Sequence, residues 1–237
     1  MRAERAAGLA LHGRFHDAER TLGRARPSEL ATWVRAYIAA SRGDFAVARV
    51  LAVPLSGGAR GRAIRVVSGL TVASVLRQKG NHRRALPFDR AALASARSDA
   101  ERTHALIGLA ADAIGLGRAA ICARRLAEAA AHAPQEDWRA QVRLDWVRIE
   151  HALGTGRPRE ALLPARRALR RARREDALRH IAKSHLFLGV ALAEASEERA
   201  AMREMNAALR AARACGAEPI AGVARAMLAR DVANAAG

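Results

Sequence analysis

Apolar residues recur along the chain at intervals of three and four rather than two, the spacing of one face of an α-helix. Ala, Leu and Arg supply most segments and β-branched runs are scarce, so the pattern predicts an all-α protein. The punctuation is periodic as well. Small or turn residues stand at Gly13, Gly43, Gly80, Gly117, Gly156 and Ser196, and each is followed five positions later by a small residue: Ala18, Ala48, Ala85, Cys122, Ala161 and Ala201. The successive intervals are 30, 37, 37, 39 and 40 residues, the range in which a helix-turn-helix unit repeats to build a solenoid.

Local chemistry divides the chain in the same way. Ser98 followed by Glu101 has the spacing of a capping box. Pro134 and Pro158 are expected in first turns, with Gln135, Glu136 and Asp137 placing acid near a helix start. Arg173 and Arg174 are expected to end one helix, and Glu175 and Asp176 to open the next. Pro87 and Pro164 fall inside expected helices, where a lost hydrogen bond predicts bends. A last helix, from about Pro219 to Ala233, carries Ile220, Val223, Met227 and Leu228 on one stripe and reads as a terminal cap.

Two segments resemble the tetratricopeptide repeat family. One runs through Leu106, Leu109-Ala110, Gly117, Cys122, Leu126, Ala129 and Pro134; the other through His185, Leu188-Gly189, Leu192, Ala201, Met205 and Ala208-Leu209. The resemblance covers most of the chain and weakens towards the N-terminus. It departs from the family in placing Leu or Ala at most aromatic positions, and it looks like the repeats of about 40 residues in sensor arms of bacterial transcription regulators. It implies a single domain over residues 1–237: a right-handed α-solenoid of about six antiparallel helix hairpins plus a C-terminal capping helix. Independently of the family, each hairpin has an apolar face that only a neighbour can bury, and Ala110, Cys122, Gly189 and Ala201 would let helices approach closely.

Composition narrows the function. The 237 residues include 60 Ala, 39 Arg and only 2 Lys, for a net charge of +18. A GC-rich genome would produce that Arg-for-Lys skew by codon supply alone. With 51% hydrophobic residues the chain can bury a core, which excludes a disordered protein. No apolar stretch near Met1 is long enough for a signal segment or a membrane span, which reads as a cytoplasmic protein without membrane contact. Cys122 and Cys215, 93 positions apart, read as packing residues rather than redox or zinc ligands.

Catalytic and metal-binding patterns are missing. His12 and His16 flank Gly13 and read as a solvated turn, while His180 and His185 point to different faces of one helix. The Gly-rich segment from Ser56 to Arg62 lacks the Gly-Lys-Ser/Thr ending of a phosphate loop and reads as a flexible inter-repeat loop. The expectation is a non-enzyme with no cofactor and no metal.

Two features remain for binding. In the family the first helix of each hairpin lines a concave groove; its positions, carried over, select Trp33, Tyr37, Leu70, Arg77, His104, Ile107, Arg143, Trp146, Glu150 and Lys183. That implies a mixed apolar and basic channel, with Trp33 and Trp146 serving either as anchors or as inter-helix packing. The second is the run from Ala165 to Arg174, whose Arg166, Arg167, Arg170, Arg171, Arg173 and Arg174 fall mainly on the outer, convex side. That run is a solvated face, a docking site for acidic protein, or a phosphate-binding surface.

The leading expectation is a scaffold or regulatory module that binds a peptide or protein, of acidic character, in its groove. A basic repeat protein binding RNA or DNA through the Arg-rich helix is the alternative, and the sensor arm of a larger regulator is a third. The short first repeat also predicts an open N-terminal end on which a second copy could dock.

Overall fold

The computed structural model describes residues 1–58 and 60–235. Thirteen helices and no strands occur among them. Six antiparallel hairpins follow in chain order: α1 (Arg2–Leu11) with α2 (Phe15–Leu22), α3 (Glu29–Arg42) with α4 (Phe45–Ala52), and α5 (Arg62–Gln78) with α6 (His82–Ser95). The other three are α7 (Asp99–Gly115) with α8 (Ala119–His132), α9 (Trp138–Gly154) with α10 (Pro158–Arg174), and α11 (Leu178–Glu194) with α12 (Glu198–Cys215). The last helix, α13 (Glu218–Ala235), packs on α12 and also reaches α3. The all-α solenoid of six hairpins with a C-terminal helix is therefore the observed architecture.

One device turns the chain in every hairpin. All six punctuating residues have positive φ, from 63° at Ser196 to 98° at Gly43. Immediately after each, the next N–H reaches back five residues to a carbonyl of the preceding helix: Arg14 to Leu9, Asp44 to Ala39, Asn81 to Leu76, Arg118 to Ala113, Arg157 to Ala152 and Glu197 to Leu192, at 2.8–2.9 Å. This left-handed cap satisfies carbonyls that a helix end leaves open, and glycine adopts it without a Cβ clash. The small residues five positions on are buried, from 0% exposed at Ala18 to 1% at Ala201, because the second helix crosses the first there. Close approach recurs between helices: a Cβ on Gly189 would stand 2.9 Å from Cε of Met205.

Some boundaries differ from the expectations. Pro134 lies in the loop before α9, whose first turn is capped by Asp137 accepting from the Ala140 N–H at 3.0 Å. Glu175 and Asp176 form the turn after α10 instead of opening α11, which starts at Leu178. Helices α6 and α10 continue through Pro87 and Pro164. Ser98 accepts from the Glu101 N–H at 3.2 Å as a capping box requires, while the Glu101 carboxylate takes the N–H of Arg97 rather than that of Ser98. On α13 the buried stripe is Ile220, Ala221 and Ala224, leaving Val223 exposed. Residue 59, inside the Gly-rich loop, lies outside the described residues.

The stack comes round to its own start. The Leu178 N–H at the head of α11 donates to the His12 carbonyl at 2.8 Å, across the turn that ends α1. A Cβ on Gly13 would stand 2.6 Å from the backbone N of Arg179, and one on Gly43 would meet the Pro219 ring at 3.2 Å. The turn of the first hairpin is thus covered by the chain's own sixth hairpin. The first helices of all six hairpins consequently face one central space.

Candidate functional site

That space is a cavity of about 720 Å³ whose wall draws residues from α1, α3, α5, α7, α9 and α11. All ten groove residues selected from the sequence line it: Trp33 and Tyr37 on α3, Leu70 and Arg77 on α5, His104 and Ile107 on α7, Arg143, Trp146 and Glu150 on α9, and Lys183 on α11. The tryptophans both pack and line. Trp33 Nε1 donates to Thr71 Oγ1 at 3.0 Å, and Trp146 Nε1 donates to Ser184 Oγ at 3.0 Å. Each bond spans 38 residues and ties one first helix to the next, leaving only 7% of Trp33 and 5% of Trp146 exposed.

Charge is distributed unevenly around the wall. On the α5–α7 side Arg77 bridges two fully buried carboxylates, Asp89 on α6 and Asp112 on α7. Gly108 makes room for this arrangement, since a Cβ there would come within 2.5 Å of Asp89 Oδ1. Burial, countered by Arg77 and reinforced by Asp89, pushes the Asp112 carboxyl up to about 7. His82 completes the group, 3.5 Å from Asp112.

The α9–α11 side carries cations instead. Arg139, Arg143, Arg179 and Lys183 all line the cavity, and among the described residues none forms an ion pair with a carboxylate. Arg143 lies 2.7 Å from His104 Nδ1, and His104 Nε2 lies 3.2 Å from Asp137 Oδ2. Burial first, then the neighbouring Arg139 and Arg77, lower the Arg143 pKa to about 10. Burial also lowers Lys183 to about 8, against the pull of Glu150 and with Arg179 and Arg143 adding. His180 is held well below its ordinary value by burial and then by all four cations. Its ring stacks on Trp146 at 5.2 Å and meets Trp138 edge-on at 4.9 Å.

Sequence reasoning missed Arg139, Arg179 and His180 as wall residues, and it missed the ring contact of Trp138 with His12 at 5.1 Å. His12 therefore belongs to a packed cluster and not to a solvated turn, while His16 is exposed. A signal was present: Arg139 and Arg143 recur as Arg179 and Lys183 exactly one repeat interval of 40 residues later.

The arginine run on α10 does not form one free surface. Arg167 and Arg171 turn towards α9 and bind the fully buried Asp145, Arg171 at 2.7 Å, joined by Arg148 at 3.0 Å. Arg173 lies 3.3 Å from His185, which contacts Glu204 at 2.5 Å. Arg166, Arg170 and Arg174 remain exposed, together with Arg173. Cys122 and Cys215 are buried thiols, and burial pushes Cys122 up to about 12. Among the described residues no three His, Cys, Asp or Glu side chains gather as a metal site, and no helix is long and apolar enough to cross a membrane.

No protein-family model matches the chain, and no curated protein does. Among solved structures, a Rap protein complexed with competence and sporulation factor is similar to 96% of this chain and 68% of its own, with a TM-score of 0.71 and 12% identity. At that identity the likeness is one of fold alone, and it supports a helical-repeat fold of tetratricopeptide-like form.

Proposed function

We propose that the chain is a regulatory binding module that holds a segment of peptide or protein in its central chamber and acts by binding rather than by catalysis. The observation that carries this reading is the enclosure itself: six first helices surround about 720 Å³, within the range of roughly 300–1,000 Å³ in which small ligands are held. Such a space suits a short segment and not a folded domain. Trp33, Tyr37, Ile107 and Trp146 offer apolar contact, with cations beside them, a combination that favours directed binding. The Rap protein of similar fold, solved in complex with a factor, supports a ligand-holding role for this architecture. A regulator-arm role is the same chamber with its occupancy relayed to separate domains.

Nucleic-acid binding along α10 is the weaker reading, because Asp145 already engages Arg167 and Arg171. The test is capture of low-mass peptides by the purified chain and by Ser74→Trp, which projects an indole from a half-buried wall position into the chamber. Capture by the wild type and not by Ser74→Trp is expected. Capture that survives Ser74→Trp but is lost on nuclease treatment, or on converting Arg166, Arg170, Arg173 and Arg174 to Glu, would overturn the chamber reading.

A further inference from the structure

The cations on the α9–α11 wall stand in a repeated register. Arg139 and Arg143 are one helical turn apart on α9, Arg179 and Lys183 one turn apart on α11, and each pair member follows its counterpart by 40 positions. Neighbouring repeats thus present a cationic doublet at matching positions to the same cavity. Nε of Arg139 and Nε of Arg179 are buried without a hydrogen-bond partner, as is Nδ1 of His180, whose ring packs on Trp138 and Trp146. Lys183 lies over the Trp146 ring at 4.5 Å and the Phe187 ring at 5.1 Å.

The carboxylates nearby are engaged elsewhere or too few. Asp137 accepts from the Ala140 N–H and contacts His104. Asp89 and Asp112 hold Arg77, and Asp145 lies on the other side of α9 with Arg148, Arg167 and Arg171. Among the described residues Glu150 is the one acidic side chain lining the cavity, against Arg77 and the four cations that line it too. Burying unpaired donors and uncompensated charge is costly, and the cost is relieved when an anion takes those donors.

We propose that Arg139, Arg143, Arg179 and Lys183 form an oxyanion subsite, so that the chamber's ligand carries a carboxylate or a phosphate group at this end. The proposal rests on the chamber being the ligand site. Guanidinium forks bind either oxyanion through paired hydrogen bonds, and two arginines in the first turns of α9 and α11 add to the positive ends of those helices. The neutral, stacked His180 and Trp146 form the adjoining surface. The ligand's apolar part then extends towards Trp33, Tyr37 and Ile107 on α3 and α7. This gives the ligand a polarity: acid at α9–α11, apolar at α3–α7.

The test titrates the full chain with inorganic phosphate and, separately, with succinate, holding ionic strength constant with sodium chloride and reading tryptophan fluorescence. Trp138 and Trp146 both contact His180, so an anion at the subsite changes their environment. A saturable response to at least one probe is expected, at least tenfold weaker in Arg139→Gln/Arg179→Gln and unchanged in Arg166→Gln/Arg170→Gln on the outer helix. A response to succinate alone assigns a carboxylate, and to phosphate alone a phosphate. Should the Gln pair fail to fold, Arg139→Lys/Arg179→Lys keeps the charge while losing the forks, and a clear weakening is still expected. No saturable response to either probe, or equal affinity in wild type and substituted chains, overturns the subsite. Peptide capture that Ser74→Trp abolishes, persisting alongside such a negative result, would leave the chamber reading standing. Anion binding without any chamber-dependent capture would support the subsite and overturn the peptide ligand.

Discussion

The two walls of the chamber are built from the same kind of helix yet treat buried charge in opposite ways. On the α5–α7 side the buried charges are ion-paired: Arg77 stands between Asp89 and Asp112, all almost fully removed from solvent, although Asp89 Oδ1 and Asp112 Oδ2 have no hydrogen-bond partner. On the α9–α11 side Arg139, Arg143, Arg179 and Lys183 face the cavity without a paired carboxylate. The outer face of α9 shows that this is no shortage of acids in the neighbourhood, since Asp145 there gathers three arginines. A paired buried set specifies how helices pack; an unpaired set bordering a cavity is a demand that something else must meet. Structure and recognition are thereby assigned to different walls of one cavity.

The largest effect is expected on the paired wall. Arg77→Met leaves two carboxylates buried with no cation and should destabilise the fold by about 3–5 kcal/mol, the usual cost of removing one partner of a buried set. Chemical denaturation measures it. Adding Asp89→Asn and Asp112→Asn to Arg77→Met removes the stranded charges and should restore much of the loss. A loss below about 1 kcal/mol for Arg77→Met alone would mean that the paired wall does not hold the helices together.

The repeat was legible because a backbone requirement writes itself into sequence. A left-handed turn selects Gly at 13, 43, 80, 117 and 156, and a helix crossing five residues later selects Ala or Cys. Ser196 was recognisable only by its place in that series. The groove residues were legible through the family resemblance, which says which face of each first helix points inwards. What the sequence hid was pairing. Arg139 and Arg171 are both arginines four positions from another arginine, yet one borders the cavity and the other binds Asp145, a distinction that depends on how α10 lies across α9. The closure at His12, Gly13 and Leu178 was equally hidden, since it depends on the small rotation from each hairpin to the next, summed over six.

Two buried groups on α7, Asp112 beside Arg77 and His104 beside Arg143, should respond to pH in opposite senses. The Asp112 carboxyl is raised to about 7, so between about pH 4 and pH 7 the folded state holds a proton that the unfolded chain releases, and this group's contribution to stability falls as pH rises. His104 is held down to about 4 by burial, with Arg143 and Arg139 adding and Asp137 opposing. Between pH 6.5 and about 4 the unfolded chain therefore binds the proton that folded His104 refuses, and stability falls as pH drops. The two contributions offset each other in the wild type. His104→Gln should relieve up to about 2 kcal/mol of the loss at pH 5 relative to pH 7, and Asp112→Asn should shift the same comparison the other way. Denaturation curves at the two pH values decide it; parallel profiles for both substitutions and the wild type would remove the titrating roles.

The smallest effect, and the most discriminating, belongs to the unpaired wall. Arg179→Met keeps a long apolar stem on α11 while removing a guanidinium whose Nε is buried without a partner. If that side chain stabilised the empty fold, its loss would cost what Arg77 costs. Since it has no counter-charge, the substitution removes a half-buried cation and a source of repulsion on Lys183 and His180, and stability should stay within about 0.5 kcal/mol or rise. The same reasoning extends to Arg139→Met on α9, which occupies the corresponding place one repeat earlier and has the same unpartnered Nε. Thermal unfolding of each without added anion checks this. A loss of about 3 kcal/mol or more in either would show that the α9–α11 cations are structural after all, and would erase the division of labour between the two walls.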